Sequence, residues 1–371
     1  MKKTALLSVI IVMLAALCLS CGGGFTRESS PGKNYALADD EFYPVERSAR
    51  YGYVNARGNL LIDFAFRKAG AFREGRAPVF DGRLYGYIDK AGKLVIPYRY
   101  KMVTDFNGGR AVVYKSGDYN WAVIDPEGRE VAPLLCSHAA GFSEGLAAVR
   151  MGALWGFIGA DGKFVIPPRY RFAYEFSESL ARVSLGKKLG YIDRSGRMVI
   201  PPSFREAGPF HDGFAPVLSA GRKKGFINRK GKFAVPPVYN HIGRRFSEGL
   251  AAVYKGGRRG SPVIEGGQWG YVDTSGKLVI QPTYADAAVF SCGLAAVRVG
   301  NKWGFIDKAG RDVIPFLFAG REGPVFRNGV AVVTLSAGKY TVKKAGGGEC
   351  SLKVFGYEDY LINTKGEFIN P

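Results

Sequence analysis

A phrase of about a dozen residues recurs along this 371-residue chain, and that recurrence limits what the chain can fold into. "KWGFIDKAGRDVIP" occupies 302–315, "GYIDKAGKLVIP" 86–97, "WGFIGADGKFVIP" 155–167 and "WGYVDTSGKLVI" 269–280. The glycine of the aromatic–Gly step falls at Gly52, Gly86, Gly156, Gly190, Gly225, Gly270 and Gly304, with Ala122 and Leu361 in phase. Successive spacings are 34, 36, 34, 34, 35, 45, 34 and 57. A second marker, Phe-x-x-Gly, keeps the same phase from Phe72, Phe106, Phe142, Phe210, Phe246, Phe290 and Phe326, with Ser179 replacing the glycine after Phe176. Two markers in one phase define a tandem array of about nine copies of near-34 residues, not a set of unrelated domains.

Each copy reads as three short strands joined by turns. In residues 294–315 they are "LAAVRVG", "WGFID" and "RDVIP". The Asp-x-x-Gly between the second and third is hairpin chemistry: the carboxylate closes the turn and glycine supplies positive φ. Proline is expected to stop the third strand's ladder. In "WGFID", Trp303 and Phe305 face one side and Ile306 the other. A strand apolar on both faces is covered on both, so each meander should lie between its neighbours. The step glycine should let a neighbouring backbone or ring come close. The expected fold is all-β: an open, curved, solenoid-like array over 41–371, with a closed propeller-like ring as the alternative. An opening first strand (41–47), a closing third strand (365–371) and Leu361 in the last copy favour the open form.

These residues resemble the WG, or KWG, repeats of bacterial proteins. The pattern K-W-G-[FY]-I-D-x-x-G-[KR]-x-V-I-P-P-x-[YF] through F-S-E-G-L-A-x-V is nearly literal at 302–315 and 142–176. The resemblance covers roughly residues 40–371, with departures at Ala122, Leu361 and several positions where Leu, Tyr or Lys replaces Trp. It implies β-structured repeats and carries no catalytic residues to transfer.

Residues 1–20 read as a signal peptide: Lys2 and Lys3 precede an apolar run from Ala5 to Leu19. That run is shorter than the roughly 20 residues a membrane span needs. "LCLSCGGG" places Ser20 before Cys21 and resembles a bacterial lipobox, although Cys18 stands where leucine is usual. Cys21 is therefore the expected lipidation site, with 21–40 a flexible linker. The implied location is the cell envelope after general export, at the outer membrane by default. Only Cys136, Cys292 and Cys350 remain beyond it, an odd number in different copies, which argues against a disulfide framework.

Nothing repeated here reads as catalytic. Asp89, Asp125, Asp193, Asp273 and Asp307 supply one carboxylate per turn, whereas calcium wants six to eight oxygens. His138, His211 and His241 lie at different phases, with no zinc spacing. Ser143, Ser177, Ser247 and Ser291 recur, which suits a turn residue and not a nucleophile used once. A non-enzymatic scaffold without cofactor or metal is expected. An enzymatic alternative needs a pocket built by the insertions, with Glu265, Glu349, Glu358 or Asp359 as acids.

The departures from regularity carry the functional signal. Both long spacings come from insertions between the first and second strands, at 255–268 and 336–360, and "KSGDYN" (115–120) is expanded at the same place. Insertions confined to one loop class mark one edge, often the binding edge. The formal charge is +20, from 52 basic and 32 acidic residues. The same loops hold Lys187, Lys188, Arg222, Lys223, Lys224, Arg258, Arg259 and Lys302, the candidate ligand-binding residues, with Arg83, Lys255, Lys339, Lys343 and Lys344 nearby. A cationic edge attracts anions. The expectation is multivalent binding of an anionic or glycan polymer, or of an acidic protein, outside the cytoplasm. The alternative is an assembly lipoprotein making protein contacts in the envelope. Export argues against nucleic acid as the native partner.

Overall fold

The computed structural model describes residues 42–47, 50–55, 60–117, 120–256, 267–326, 329–345 and 347–369. They hold β-strands and turns and no helix. The chain forms two compact blocks, one ending at Ser203 and one beginning at Phe204. The signal segment, Cys21 and the linker lie outside the described residues.

Among the described residues nine copies are present, and the middle strand of each carries the step residue. Copy one is Tyr43–Arg47, Arg50–Val54 and Leu60–Phe66, paired in sequence order. Copy four has Leu146–Met151, Leu154–Ile158 and Phe164–Tyr170, preceded by a lead strand, His138–Ser143. That lead strand, which the sequence reading did not anticipate, recurs in the later copies as Phe172–Ser177, Glu206–Ala207, His241–Ile242 and Asp286–Ala287. The strands within copies pair antiparallel, with one isolated parallel bridge, Lys344 to Phe368, in copy nine, and no described sheet closes on itself. Copies two and three share one seven-stranded sheet, because the third strand of copy two, Leu94–Val103, continues onto the first strand of copy three, Ala111–Lys115.

The third strands correct one expectation: proline does not end them. In copy four the strand runs through Pro167 and Pro168 to Tyr170. Trp155 and Phe157, two residues apart, pair with Tyr170 and Ile166, four apart. The surplus residues bulge out of the ladder, where a missing N–H costs no hydrogen bond. The bulged backbone crosses directly over Gly156: a Cβ there would lie 2.5 Å from the Ile166 carbonyl oxygen and 2.7 Å from the Pro168 nitrogen. The same four-against-two register surrounds Gly52, Gly86, Gly225, Gly270 and Gly304. The two copies without glycine lack that crossing. Ala122 faces Pro133 and Leu361 faces Ile369 in unshifted register. The step glycine and the partner strand's excursion are thus two halves of one bulge, which holds proline in most copies but not in copy one, where it runs from Ile62 to Phe66.

The core lies between copies. One cluster joins Leu146, Phe157 and Ile166 of copy four to Phe176, Val183 and Ile192 of copy five. Another joins Tyr271 and Ile280 of copy seven to Phe290, Val297 and Ile306 of copy eight. The aromatic after the step glycine meets the marker Phe of the next copy: Tyr87–Phe106, Phe157–Phe176 and Tyr271–Phe290 have ring centroids 4.9–5.0 Å apart. A buried tyrosine also needs a partner for its hydroxyl. Tyr53 donates to the Gly70 carbonyl at 2.8 Å, and Tyr87 to that of Thr104 at 2.7 Å.

Candidate functional site

A meander has two ends. The Asp-x-x-Gly and Phe-x-x-Gly turns lie at one; the loops joining first to middle strands lie at the other. The turn end carries the side chains that hold copies together, beside exposed Lys90, Lys163, Arg194, Lys230 and Lys277. Asp89 Oδ1 accepts from the Ala91 and Lys93 amides, both at 3.0 Å, and Gly92 takes φ of 78°. Asn228 and Asn363 close their turns the same way. Asp193 is held below the usual carboxylate range first by the Ser195 hydroxyl and then, against some desolvation, by Arg197. Arg129 and Arg311 pair with Asp125 and Asp307, each at 2.7 Å. Hydrogen bonds from these arginines and the turn amides outweigh desolvation and hold both carboxyls low.

The serines and glutamates of the second marker are clamps onto the following copy. Ser143, Ser247 and Ser291 donate through Oγ to the carbonyls of Phe176, Phe290 and Phe326, each at 2.7 Å. Glu74 accepts from the Gly108 and Gly109 amides at 2.8 and 2.9 Å, and Glu144 from the Ser179 amide at 2.8 Å. These glutamates are left-handed, with φ of 50° for Glu74 and 52° for Glu144. A side chain there costs about 1–2 kcal/mol; the carboxylate bonds to the next turn offset it. Arg76 and Arg110 reach turn carbonyls of the next copy, Pro126 and Ala160, at 3.0 and 2.9 Å. Arg99 and Arg169 reach Gly128 and Gly196, both at 2.5 Å. The sequence reading assigned the serines to turns and missed these arginines; the "RY" pairs at 99–100 and 169–170 were the available signal.

At the loop end, Lys187, Lys188 and Arg222 are exposed. Arg222 has φ of 58° in the Ser219–Lys223 turn. Lys223 is held by the Asn240 side-chain oxygen, and Asn240 in turn donates to the Gly256 carbonyl at 2.8 Å. Lys224 lies 3.5 Å from Glu206. Lys302 donates to Ser336 Oγ at 2.7 Å. Loops of successive copies therefore touch: those of copies six and seven through Asn240, those of copies eight and nine through Lys302. Arg258, Arg259 and Glu265 lie outside the described residues, and Glu358 and Asp359 are placed by backbone alone, in the strand Glu358–Asn363.

Both insertions occupy the expected loop. The second folds into a hairpin, Gly338–Lys343 with Glu349–Val354. At its tip, the Ala345 amide donates to the Phe368 carbonyl at 2.9 Å, so the hairpin folds back onto the third strand of copy nine. Its own Val342 and Val354 are buried.

Among the described residues, no three His, Cys, Asp or Glu side chains are grouped to hold a metal. Cys136, Cys292 and Cys350 are free thiols; burial pushes the Cys136 thiol up to about 11. A cleft of about 590 Å³ between copies two and three is lined by Arg99, Lys115 and Arg129, already engaged by Gly128, Glu130 and Asp125 respectively.

Stacked antiparallel sheets with cores between copies define a β-repeat scaffold. The model for the WG containing repeat matches residues 51–82, 85–119, 121–155, 155–188, 190–221, 225–258 and 269–303, more than half of the sequence, and the chain belongs to that family. No curated protein matches it in sequence. The crystal structure of a eukaryotic initiation factor superposes with a TM-score of 0.56 at 11% identity, over 88% of this chain and 94% of that one. That likeness is one of fold alone. BamB from Moraxella catarrhalis gives a TM-score of 0.39 at 12% identity, over 74% and 90%, too loose to carry an argument.

Proposed function

We propose that this chain is a non-enzymatic scaffold, anchored at the cell envelope by lipid on Cys21, that binds an extracytoplasmic polyanion through the loop end of its copies. The observation that carries the reading is what the loop end gathers. Lys187, Lys188 and Arg222 are exposed there, and both insertions fall between the same strands; the turn end also exposes Lys90, Lys163, Arg194, Lys230 and Lys277, but its glutamates and arginines bond to the following copy. Repetition makes such binding multivalent: weak contacts sum by avidity. The ligand class is an anionic or glycan polymer, or an acidic protein surface.

The test is capture of the chain from Cys21 onward by immobilised polyanions and envelope polysaccharides at low and high salt. Saturable binding that falls steeply with salt, and is weakened by K187E/K188E/R222E, supports the reading; unchanged binding by that variant sinks it. The assembly reading also has an observation in its favour. Third strands expose an apolar residue in copies three, four, seven and eight: Val131 at 36%, Val165 at 48%, Val279 at 40% and Val313 at 42%. Salt-insensitive capture of one envelope protein would move the assignment there.

A further inference from the structure

The loop end of copy nine carries the two most exposed large aromatic rings among the described residues. Phe355 and Tyr357 are 79% and 78% exposed, and they flank Gly356 where the hairpin returns to the sheet. The Lys353 ammonium sits 4.8 Å from the centre of the Phe355 ring. Lys353 is also directly opposite Lys339 in the hairpin register. Like charges so placed repel, and the pair is retained with both side chains exposed. At the other end of the hairpin Lys343 faces Glu349, so the like-charged pair of this register lies at the end near the rings. Lys302 joins the same corner through Ser336, whose backbone carbonyl accepts from the Tyr340 hydroxyl at 2.9 Å. Glu358 and Asp359 are the nearest acids along the chain. The hairpin is fixed in place by the Ala345–Phe368 bond and by buried Val342 and Val354, which leaves its polar face outward.

Resting on the reading of the loop end as a polyanion surface, we infer that Lys302, Lys339, Lys353, Phe355 and Tyr357 form a subsite for an acidic polysaccharide. A pyranose offers an apolar C–H face to a ring and, in a uronic acid, a carboxylate at its edge. The Lys339–Lys353 pair supplies the counter-charge and the exposed rings supply the stacking surface. Polyphosphate satisfies only the lysines.

The experiment compares binding of polygalacturonate and of polyphosphate, matched in total charge, to the chain from Cys21 onward and to F355A/Y357A and K339Q/K353Q. Anionic phospholipid vesicles serve as a third probe. Removing the rings should weaken polygalacturonate binding about tenfold while changing polyphosphate by less than about twofold, since only stacking is lost. K339Q/K353Q should weaken both. F355W/Y357F, which keeps the rings, should bind polygalacturonate as the parent does. If F355A/Y357A binds both polymers like the parent, the subsite falls while the polyanion reading stands. If the parent binds neither polymer, both fall. If the rings matter for vesicles and not for polygalacturonate, the surface is a membrane contact and the inference is overturned.

Discussion

Copies three and four are adjacent in one block, yet they cross the middle strand differently. In copy four the third strand makes a four-residue excursion over Gly156, with Pro167 and Pro168 inside it. In copy three the strand Glu130–Leu134 stays in register past the step position, with Pro133 opposite Ala122. The only slippage there, between Glu130 and Ala132, comes before that point. The difference teaches that the family's glycine answers the partner strand's path and not a turn of its own backbone. Where the partner does not bulge, a methyl is accommodated, and Ala122 is fully buried.

The sharpest way to break this comparison is Gly156→Leu. The added side chain has no room beneath the Ile166–Pro168 backbone, and overpacking of this kind costs about 1–3 kcal/mol or more. The expected result is a large fall in Tm, read by thermal unfolding; an unchanged Tm would refute the steric account. Ala122→Gly should cost less, about 1 kcal/mol, from added chain freedom and a lost buried methyl. A loss equal to that of Gly156→Leu would mean that the two copies do not differ as described.

Comparing the two ends of the strands yields smaller effects. Ser143→Ala removes the bond to the Phe176 carbonyl and should cost about 1 kcal/mol. By contrast, K187E/K188E/R222E at the loop end should shift stability by less than about 0.5 kcal/mol while lowering polyanion affinity, because exposed charges add little to folding. Equal effects on stability at both ends would erase the distinction between clamp and binding edge.

Acidity tests mainly the turn end, although the Leu84 and Arg83 amides hold the Asp81 carboxyl low in a loop-end turn as well. The Asp125, Asp193 and Asp307 carboxyls are depressed in the folded chain. A depressed folded pKa contributes stability above the unfolded value, near 4 for aspartate, and that stability is lost as pH falls through the folded value. Tm should therefore drop below about pH 4. Asp193→Asn should blunt that drop at its own turn without opening it, since Asn228 makes the same amide bonds. An acid profile identical to the parent's would show that Asp193 contributes nothing to it.

Much of the array was legible because its signals are local. The phase of the step residue placed all nine middle strands, including the two without glycine. Asp-x-x-Gly placed the turns, and doubly apolar strands showed that cores lie between copies. The bulge was not legible: "VIPP" reads as a strand end, because proline removes a ladder donor, and only the paired strand reveals that the ladder skips those residues. The candidate site was legible in part. Loop insertions gave the edge, but the tethering of Lys223, Lys224 and Lys302 to neighbouring side chains was not in their spacing.

The sequence by itself determined the repeat, its period, its turns and the position of its insertions, because each depends on residues close together in the chain. Tertiary structure decided which glutamate clamps which amide, why glycine gives way to alanine or leucine, and how the 336–360 insertion folds back to Phe368. Those outcomes depend on backbone from another strand or another copy arriving within a few ångströms, and no local pattern specifies that arrival.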